Sequence, residues 1–85
     1  MKVNPFAVFR EEFDGTALLF NPGNNKILNL NSSAVVIWKC LTRNMDDREI
    51  IEALQEKFDG AAPGELESDL RSFKSKLAEY DLLTE

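Results

Sequence analysis

The chain changes its periodicity within the segment Leu30-Asn31-Ser32-Ser33-Ala34-Val35-Val36-Ile37-Trp38. Before this segment, apolar residues come in short runs of strand length, and after it they recur at the spacing of helices. Asn31, followed by two serines, suits a helix N-cap, because its side-chain oxygen can accept a hydrogen bond from an amide of the first turn. We therefore predict strands between about residues 7 and 30 and helices beyond them.

Three apolar runs lie upstream of this segment, at residues 7–9, 17–20 and 27–30. They are separated by Asp14-Gly15 and by residues 21–25, and both separators are built from residue types that favour tight turns. This arrangement predicts a three-stranded antiparallel meander. On its first strand, Phe9 and Phe13 are expected to share one face, with Arg10 and Glu12 on the other.

Three helices are predicted downstream, over about residues 32–42, 47–58 and 65–80. The second begins with a capping-box pattern, because Asp46 is followed three residues later by Glu49. Residues 60–64 then break the helical pattern. The third helix has the cleanest apolar stripe, with spacings of 4, 3, 4 and 3 residues: Leu66, Leu70, Phe73, Leu77 and Tyr80. A small sheet needs helices against it, so we predict a single α+β domain over residues 1–85.

The composition excludes most classes of enzyme. The 85 residues include no His and one Cys, so the usual general base, the commonest zinc ligand and any thiolate cluster are missing. Cys40 lies beside core positions of the first predicted helix, which favours packing over reactivity. Trp38 and the six Phe are likewise expected to form the core rather than a ligand pocket. We predict a non-catalytic protein without a metal site or a cofactor.

Charge is unevenly distributed along the chain. Residues 1–42 carry four basic and three acidic side chains, whereas residues 43–85 carry six basic and twelve acidic ones, which gives the net charge of −5. Such a chain repels a phosphate backbone, so nucleic acid is not expected as a partner. The sequence has no apolar run of signal-peptide or membrane-spanning length, and a cytoplasmic protein with no membrane partner is predicted.

The predicted architecture itself points to a peptide-binding role. A three-stranded sheet has an exposed edge unless helices cover it, and such an edge can accept another chain as an added strand. The third helix could form the second wall of a groove beside that edge, because its apolar stripe has mixed-charge flanks. On a helical wheel, Glu67, Arg71 and Lys74 follow one flank of the stripe, and Asp69 and Lys76 follow the other. The pattern does not select which edge is used.

Several segments resemble the PqqD family, also called the RiPP precursor peptide recognition element. The segment quoted above resembles the family's L-N-x-[ST]-A-x-x-[IV]-[WL] pattern, and the apolar positions of the later helices, up to Leu82-Leu83, extend the resemblance over nearly the whole chain. Two positions depart from it. Arg43-Asn44 stands where the family usually has Asp-Gly, and Asp81-Leu82 stands where it commonly has Gly-Leu. Asn tolerates positive φ much as Gly does.

The resemblance implies a winged helix-turn-helix-like fold that acts as a peptide chaperone without catalysis of its own. Family members bind the leader of a ribosomally made precursor peptide as an extra strand on the third strand of the meander, against the third helix. They deliver it to a modifying enzyme, which is a radical S-adenosylmethionine (radical SAM) protein in pyrroloquinoline quinone (PQQ) biosynthesis. Carried onto this sequence, the expected peptide-binding residues are Lys26, Ile27, Leu28, Asn29 and Leu30 on the strand and Asp69, Leu70, Arg71, Phe73, Lys74 and Leu77 on the helix.

Specific roles follow from this assignment. Leu70 or Phe73 is expected to receive apolar leader side chains, and Arg71 or Lys74 to meet acidic ones. Two rival functions stay open, a winged-helix regulator that binds DNA and an interaction scaffold for a folded protein. An exposed edge can also pair with its own copy, so both a monomer and an edge-paired dimer are compatible with the sequence.

Overall fold

The computed structural model describes residues 2–60 and 62–84. It contains five strands and three helices: β1 (Lys2–Val3), β2 (Val8–Glu11), β3 (Ala17–Asn21), β4 (Lys26–Leu30), α1 (Ser32–Thr42), α2 (Asp47–Lys57), α3 (Pro63–Glu79) and β5 (Leu83–Thr84). The central antiparallel sheet has the order β2-β3-β4. The predicted α+β class, with a three-stranded antiparallel sheet followed by three helices, is therefore confirmed.

The geometry of the first hairpin determines which residues of β3 direct their backbone N–H and C=O groups toward β2 and which direct them toward β4. Glu12 N–H donates to the Thr16 carbonyl at 2.8 Å and Gly15 N–H donates to the Glu12 carbonyl at 3.3 Å. Gly15 has a φ of 90°, as in a three-residue loop with a bulged glycine. Glu12 and Thr16 thus form a hydrogen-bonded pair, and hydrogen-bonded pairs alternate along an antiparallel ladder. It follows that Leu18 and Phe20 point their backbone groups toward β2, whereas Ala17, Leu19 and Asn21 point theirs toward β4.

The starts of the first two helices follow the sequence closely. The Asn31 side chain accepts a hydrogen bond from Ala34 N–H at 2.9 Å. Asp46 and Glu49 form a complete capping box, with reciprocal side-chain to backbone bonds of 2.9 and 3.1 Å. The third helix begins at Pro63, two residues earlier than predicted, since proline has no amide to satisfy at the first helical position. Ala61, within the predicted break, lies outside the described residues, as do Met1 and Glu85 at the ends of the predicted domain.

The core lies between the helices and one face of the central sheet. Leu19 and Leu30 from the sheet are buried together with Ile37, Leu54 and Leu77 from the three helices. Trp38 and Cys40 are also buried, as expected for core positions. Burial raises the pKa of the Cys40 thiol, because the thiolate would lose its hydration. At neutral pH Cys40 therefore behaves as a small apolar side chain.

Three of the six phenylalanines do not join the core, and one of them, Phe20, is half-buried on the outer face of the sheet. Phe13 is fully exposed and Phe6 is 75% exposed. The expectation that Phe13 shares a strand face with Phe9 is wrong, because β2 ends at Glu11 and Phe13 falls in the loop of the first hairpin. The strand alternation that aligns such positions does not continue through a loop.

The second sheet was not predicted from the sequence. It pairs β1 with β5, so that Val3 lies opposite Leu83. Asn4 reinforces this pairing, because its backbone N–H donates to the Leu82 carbonyl at 2.9 Å and its side chain donates to the Asp81 carbonyl at 3.0 Å. Strands of two residues carry no alternation of their own, and only the folded chain brings these distant segments together.

Candidate functional site

One long edge of the central sheet is open along β4. This strand pairs with β3 on one side, and no described residue pairs with its other side. Lys26, Leu28 and Leu30 lie opposite the residues of β3 whose backbone groups point toward β4. Their own backbone N–H and C=O groups therefore form hydrogen bonds with β3. The backbone N–H and C=O groups of Ile27 and Asn29 therefore face the open edge, where an added strand would pair with them.

A groove of about 660 Å³ runs between this edge and α3. Its apolar lining comes from Leu28 and Leu30 of β4, Ile37 of α1 and Phe73 of α3. Its polar lining includes Asn29, Asp69, Ser72 and Lys76, and Glu12, Thr16, Asn31 and Ser33. An extended peptide on the edge would place alternate side chains against the apolar lining and the backbone against Ile27 and Asn29.

The hairpin loop between β3 and β4 fixes one end of the groove. The buried side chain of Asn21 donates to the Tyr80 carbonyl at 2.9 Å, and the Asn24 side chain donates to the same carbonyl at 3.1 Å. Lys26 adds a contact, since its ammonium group lies 5.5 Å from the centre of the Tyr80 ring. The C-terminal end of α3 is therefore held against the start of β4, and the two elements run in opposite directions along the groove.

The opposite end of the groove contains a hydrogen-bonded turn. The Thr16 hydroxyl and amide both donate to Asp14, at 2.6 and 3.0 Å, and these bonds lower the pKa of the Asp14 carboxyl, the hydroxyl contributing most. Thr16 lies next to Ala17, which pairs with Leu30 at the end of β4. Glu12 and Thr16 are thus at the same end of the groove as Leu30 and Asn31.

The predicted helix residues fall into three groups. Asp69 and Phe73 line the groove beside β4. Leu70, Arg71 and Lys74 line a second cleft, of about 810 Å³, between α2 and α3. Leu77 is completely buried.

The position of Arg71 and Lys74 corrects the expectation that they lie beside the strand. Lys74 forms an ion pair with Asp47, at the start of α2. This ion pair links α3 to α2, so the Lys74 ammonium group contacts α2 and not the groove. Residues three, four and seven apart share one face of a helix, so the face that contains Asp69 and Phe73 also contains Ser72 and Lys76. The helical wheel already grouped Asp69 with Lys76, which was the available signal for Lys76.

The strand residues are divided by the pleat of the sheet. Leu28 and Leu30 are buried toward the helices, whereas Ile27 is 56% exposed and Asn29 is exposed on the outer face. Ile27 continues a cross-strand row with Phe20 and Val8, because these three residues are paired in register. A strand added to β4 would thus meet an apolar groove on its inner side and the apolar Ile27 on its outer side.

The described part of the chain offers no site for a metal. No group of three or more His, Cys, Asp or Glu residues in residues 2–60 and 62–84 could hold an ion. Among these same residues, no helix has the length and apolarity needed to cross a membrane. The groove is lined by one strand edge and by apolar and charged side chains.

Comparison with known proteins adds two findings. A family model described as Coenzyme PQQ synthesis protein D (PqqD) matches residues 16–83. Among solved structures, TbiB1 in complex with the TbiA(beta) leader peptide is similar to this chain, with a TM-score of 0.84 and 25% sequence identity. The superposition covers 98% of this chain and 94% of that chain. A comparison with curated proteins gave no match.

Proposed function

The chain belongs to the PqqD family, and on that basis we propose that it binds the leader of a ribosomally synthesised precursor peptide as a strand added to β4. The observation that carries this proposal is the open edge of β4 beside an apolar groove. Backbone pairing with Ile27 and Asn29 supplies affinity, and the groove supplies selectivity. The similarity to TbiB1, whose structure contains a leader peptide, supports the same role.

The strand residues of the proposed site are Lys26, Ile27, Leu28, Asn29 and Leu30. Across the groove, Asp69, Ser72, Phe73 and Lys76 form the wall on α3. Phe73 is the proposed anchor for an apolar leader side chain, because it lines the groove and contributes to the core at the same time. A disordered leader loses entropy when it binds, so we expect a dissociation constant of roughly 1 μM or somewhat below.

In this proposal the chain supplies no catalytic group and presents the bound leader to a separate enzyme in the cytoplasm. A radical SAM enzyme, as in PQQ biosynthesis, is the proposed partner. Strand addition fits this division of labour, because it holds the leader by its backbone and leaves the rest of the precursor free to enter another protein. Mixing the chain, the precursor and the enzyme in analytical size exclusion tests the partner: a ternary complex is expected, and an enzyme that never co-elutes contradicts it.

Nuclear magnetic resonance tests the binding site itself. Titration of the isotope-labelled chain with a synthetic peptide that carries the leader of its precursor is expected to shift the amide resonances of residues 26–30 and of the groove face of α3. The resonances of α2 are expected to stay largely in place, because that helix lies behind α3. Shifts that map instead to the cleft between α2 and α3 would contradict the proposed site.

A further inference from the structure

We infer that the groove selects the order of charges along its peptide, taking a basic side chain beside Asp69 and Glu12 at one end and an acidic side chain beside Lys76 at the other. This inference rests on the proposed function, since it concerns the peptide that the groove binds. It goes further by stating which peptides the groove prefers and in which direction they lie.

The two charged ends are separated because α3 and β4 run in opposite directions. At one end, Lys26 Nζ lies 3.5 Å from the Glu79 carbonyl oxygen, near the end of α3. At the other, Leu30 and Asp69 line the groove together with Glu12. Asp69 and Lys76 are seven residues apart on one face of the helix, which places their Cα atoms about 10 Å apart along its axis.

The charged side chains of Asp69, Glu12 and Lys76 are available to a ligand, whereas Lys26 already contacts the Glu79 carbonyl and the Tyr80 ring. Within residues 2–60 and 62–84, neither Asp69 nor Lys76 forms an ion pair, and both are exposed. Glu12 has only a distant partner, with 3.9 Å between the Arg10 and Glu12 side-chain atoms. The other flank of α3 differs, because Lys74 is already paired with Asp47. A charged ligand on the groove side therefore displaces no strong ion pair.

The direction of the peptide follows from the ladder. Antiparallel pairing is slightly more stable per residue than parallel pairing, so the peptide runs opposite to β4. Its N-terminal part then lies at the end formed by Leu30 and Asp69, and its C-terminal part at the end formed by Lys26 and Lys76. Groove-facing side chains alternate along a strand, and four residues of strand span about 13 Å. The preferred peptide thus has the pattern basic-x-apolar-x-acidic, with the apolar residue over Leu28 and Phe73.

The size of the effect is modest and measurable. Exposed ion pairs contribute little individually, so two of them together are expected to favour the correct charge order by about three- to tenfold in affinity. The apolar contacts and backbone pairing are the same for a peptide of reversed charge order. We therefore compare two synthetic peptides of identical composition, one basic-x-apolar-x-acidic and the other acidic-x-apolar-x-basic. The difference between their affinities measures the contribution of charge order alone.

The test uses a display library of random 12-residue peptides selected on the full chain, followed by fluorescence anisotropy with the two synthetic peptides. The wild-type chain is expected to enrich peptides in which the basic residue precedes the acidic one. The double variant Asp69→Lys/Lys76→Glu, which keeps the net charge, is expected to prefer the reverse order. The control is Glu67→Lys/Arg71→Glu, a matched exchange on the opposite flank, which is expected to leave the order unchanged.

The outcomes separate this inference from the proposed function. Three results would overturn the inference and leave the proposed function intact. The peptides enriched on the wild-type chain could show no charge order, or they could place the acidic residue first. Alternatively, the exchange of Asp69 and Lys76 could fail to reverse the preferred order. If the selection yields no peptide whose binding is lost in Asn29→Pro, which blocks the open edge, the proposed function itself fails. Circular dichroism checks that each variant is folded. A folded state is expected because all the substituted side chains are exposed.

Discussion

Asp81 and Asn44 occupy left-handed backbone positions that glycine usually fills, with φ values of 54° and 58°. Each follows the last residues of a helix that ends in a Schellman motif. After α3, Leu82 N–H donates to the Leu77 carbonyl at 2.8 Å and Asp81 N–H to the Ala78 carbonyl at 3.1 Å. At both positions the sequence departs from the pattern that its resemblance to the PqqD family implies. Asn and Asp are the residues, apart from glycine, that adopt this conformation most readily.

The strain at Asp81 gives a prediction about stability. Asp81→Gly is expected to raise the free energy of unfolding by about 0.5–1 kcal/mol, because glycine adopts positive φ without a steric penalty. Asp81→Ala is expected to lower it by a similar amount, since alanine lacks a side chain that supports this conformation. Urea unfolding followed by the fluorescence of the buried Trp38 measures both variants. An equal decrease in the free energy of unfolding in both variants would contradict this prediction. It would show that the Asp81 side chain, and not the backbone conformation, determines the stability of the turn.

At the scale of single residues, the caps were predictable and the position of Phe13 was not. Asn31, Asp46 and Glu49 act on amides within three residues, so a local pattern contains all the information needed. The alternation that grouped Phe13 with Phe9 is also local, but its continuation depends on where the strand ends. The bulged hairpin ends that strand at Glu11 and turns Phe13 outward.

At the scale of elements, α3 has two flanks that face different neighbours. The flank with Asp69, Phe73 and Lys76 faces β4, and the flank with Arg71 and Lys74 faces α2. The helical wheel separates the two flanks, but it does not say which neighbour each one meets. That choice depends on how the helix is rotated about its axis in the packed structure. For this reason the sequence placed Arg71 and Lys74 on the groove and left Lys76 out of the predicted site.

The separation of the flanks predicts different effects of substitution on peptide binding. Arg71→Ala and Lys74→Ala are each expected to leave the affinity for the precursor peptide within about twofold, because neither side chain lines the groove. Phe73→Leu is expected to weaken binding by about tenfold, since it removes part of a buried aromatic anchor. Isothermal titration calorimetry provides the affinities, and thermal unfolding shows whether each variant is folded. A large loss of affinity in Lys74→Ala alone would indicate that the second cleft binds the peptide.

At the scale of the whole molecule, charge separates the proposed function from a role in DNA binding. The chain has a net charge of −5, and α2 carries four acidic residues against two basic ones. A recognition helix for DNA would show the opposite balance, because contacts with phosphates dominate the affinity. The composition of the sequence alone therefore predicts that DNA is not a partner. The pairing of β1 with β5 needed the folded chain, since it joins residues near the two ends of the sequence.

The net negative charge of the chain predicts the result of a gel-shift titration. The chain is expected to cause no shift of duplex DNA, even in low salt where electrostatic binding is strongest. A basic winged-helix protein run beside it serves as the positive control. A shift that disappears as salt is added would favour the regulator function and count against the absence of a nucleic-acid partner.

The most direct test of strand addition uses the single variant Asn29→Pro. Proline removes an N–H that faces the open edge and leaves the ladder between β3 and β4 intact, so the fold is expected to persist. Light scattering in the absence of peptide shows whether the edge also pairs with a second copy. In calorimetric titration with the precursor peptide, Asn29→Pro is predicted to weaken binding by at least about tenfold, whereas Asn29→Ala stays within about threefold of the wild type. Wild-type affinity in a folded Asn29→Pro variant would contradict strand addition on β4.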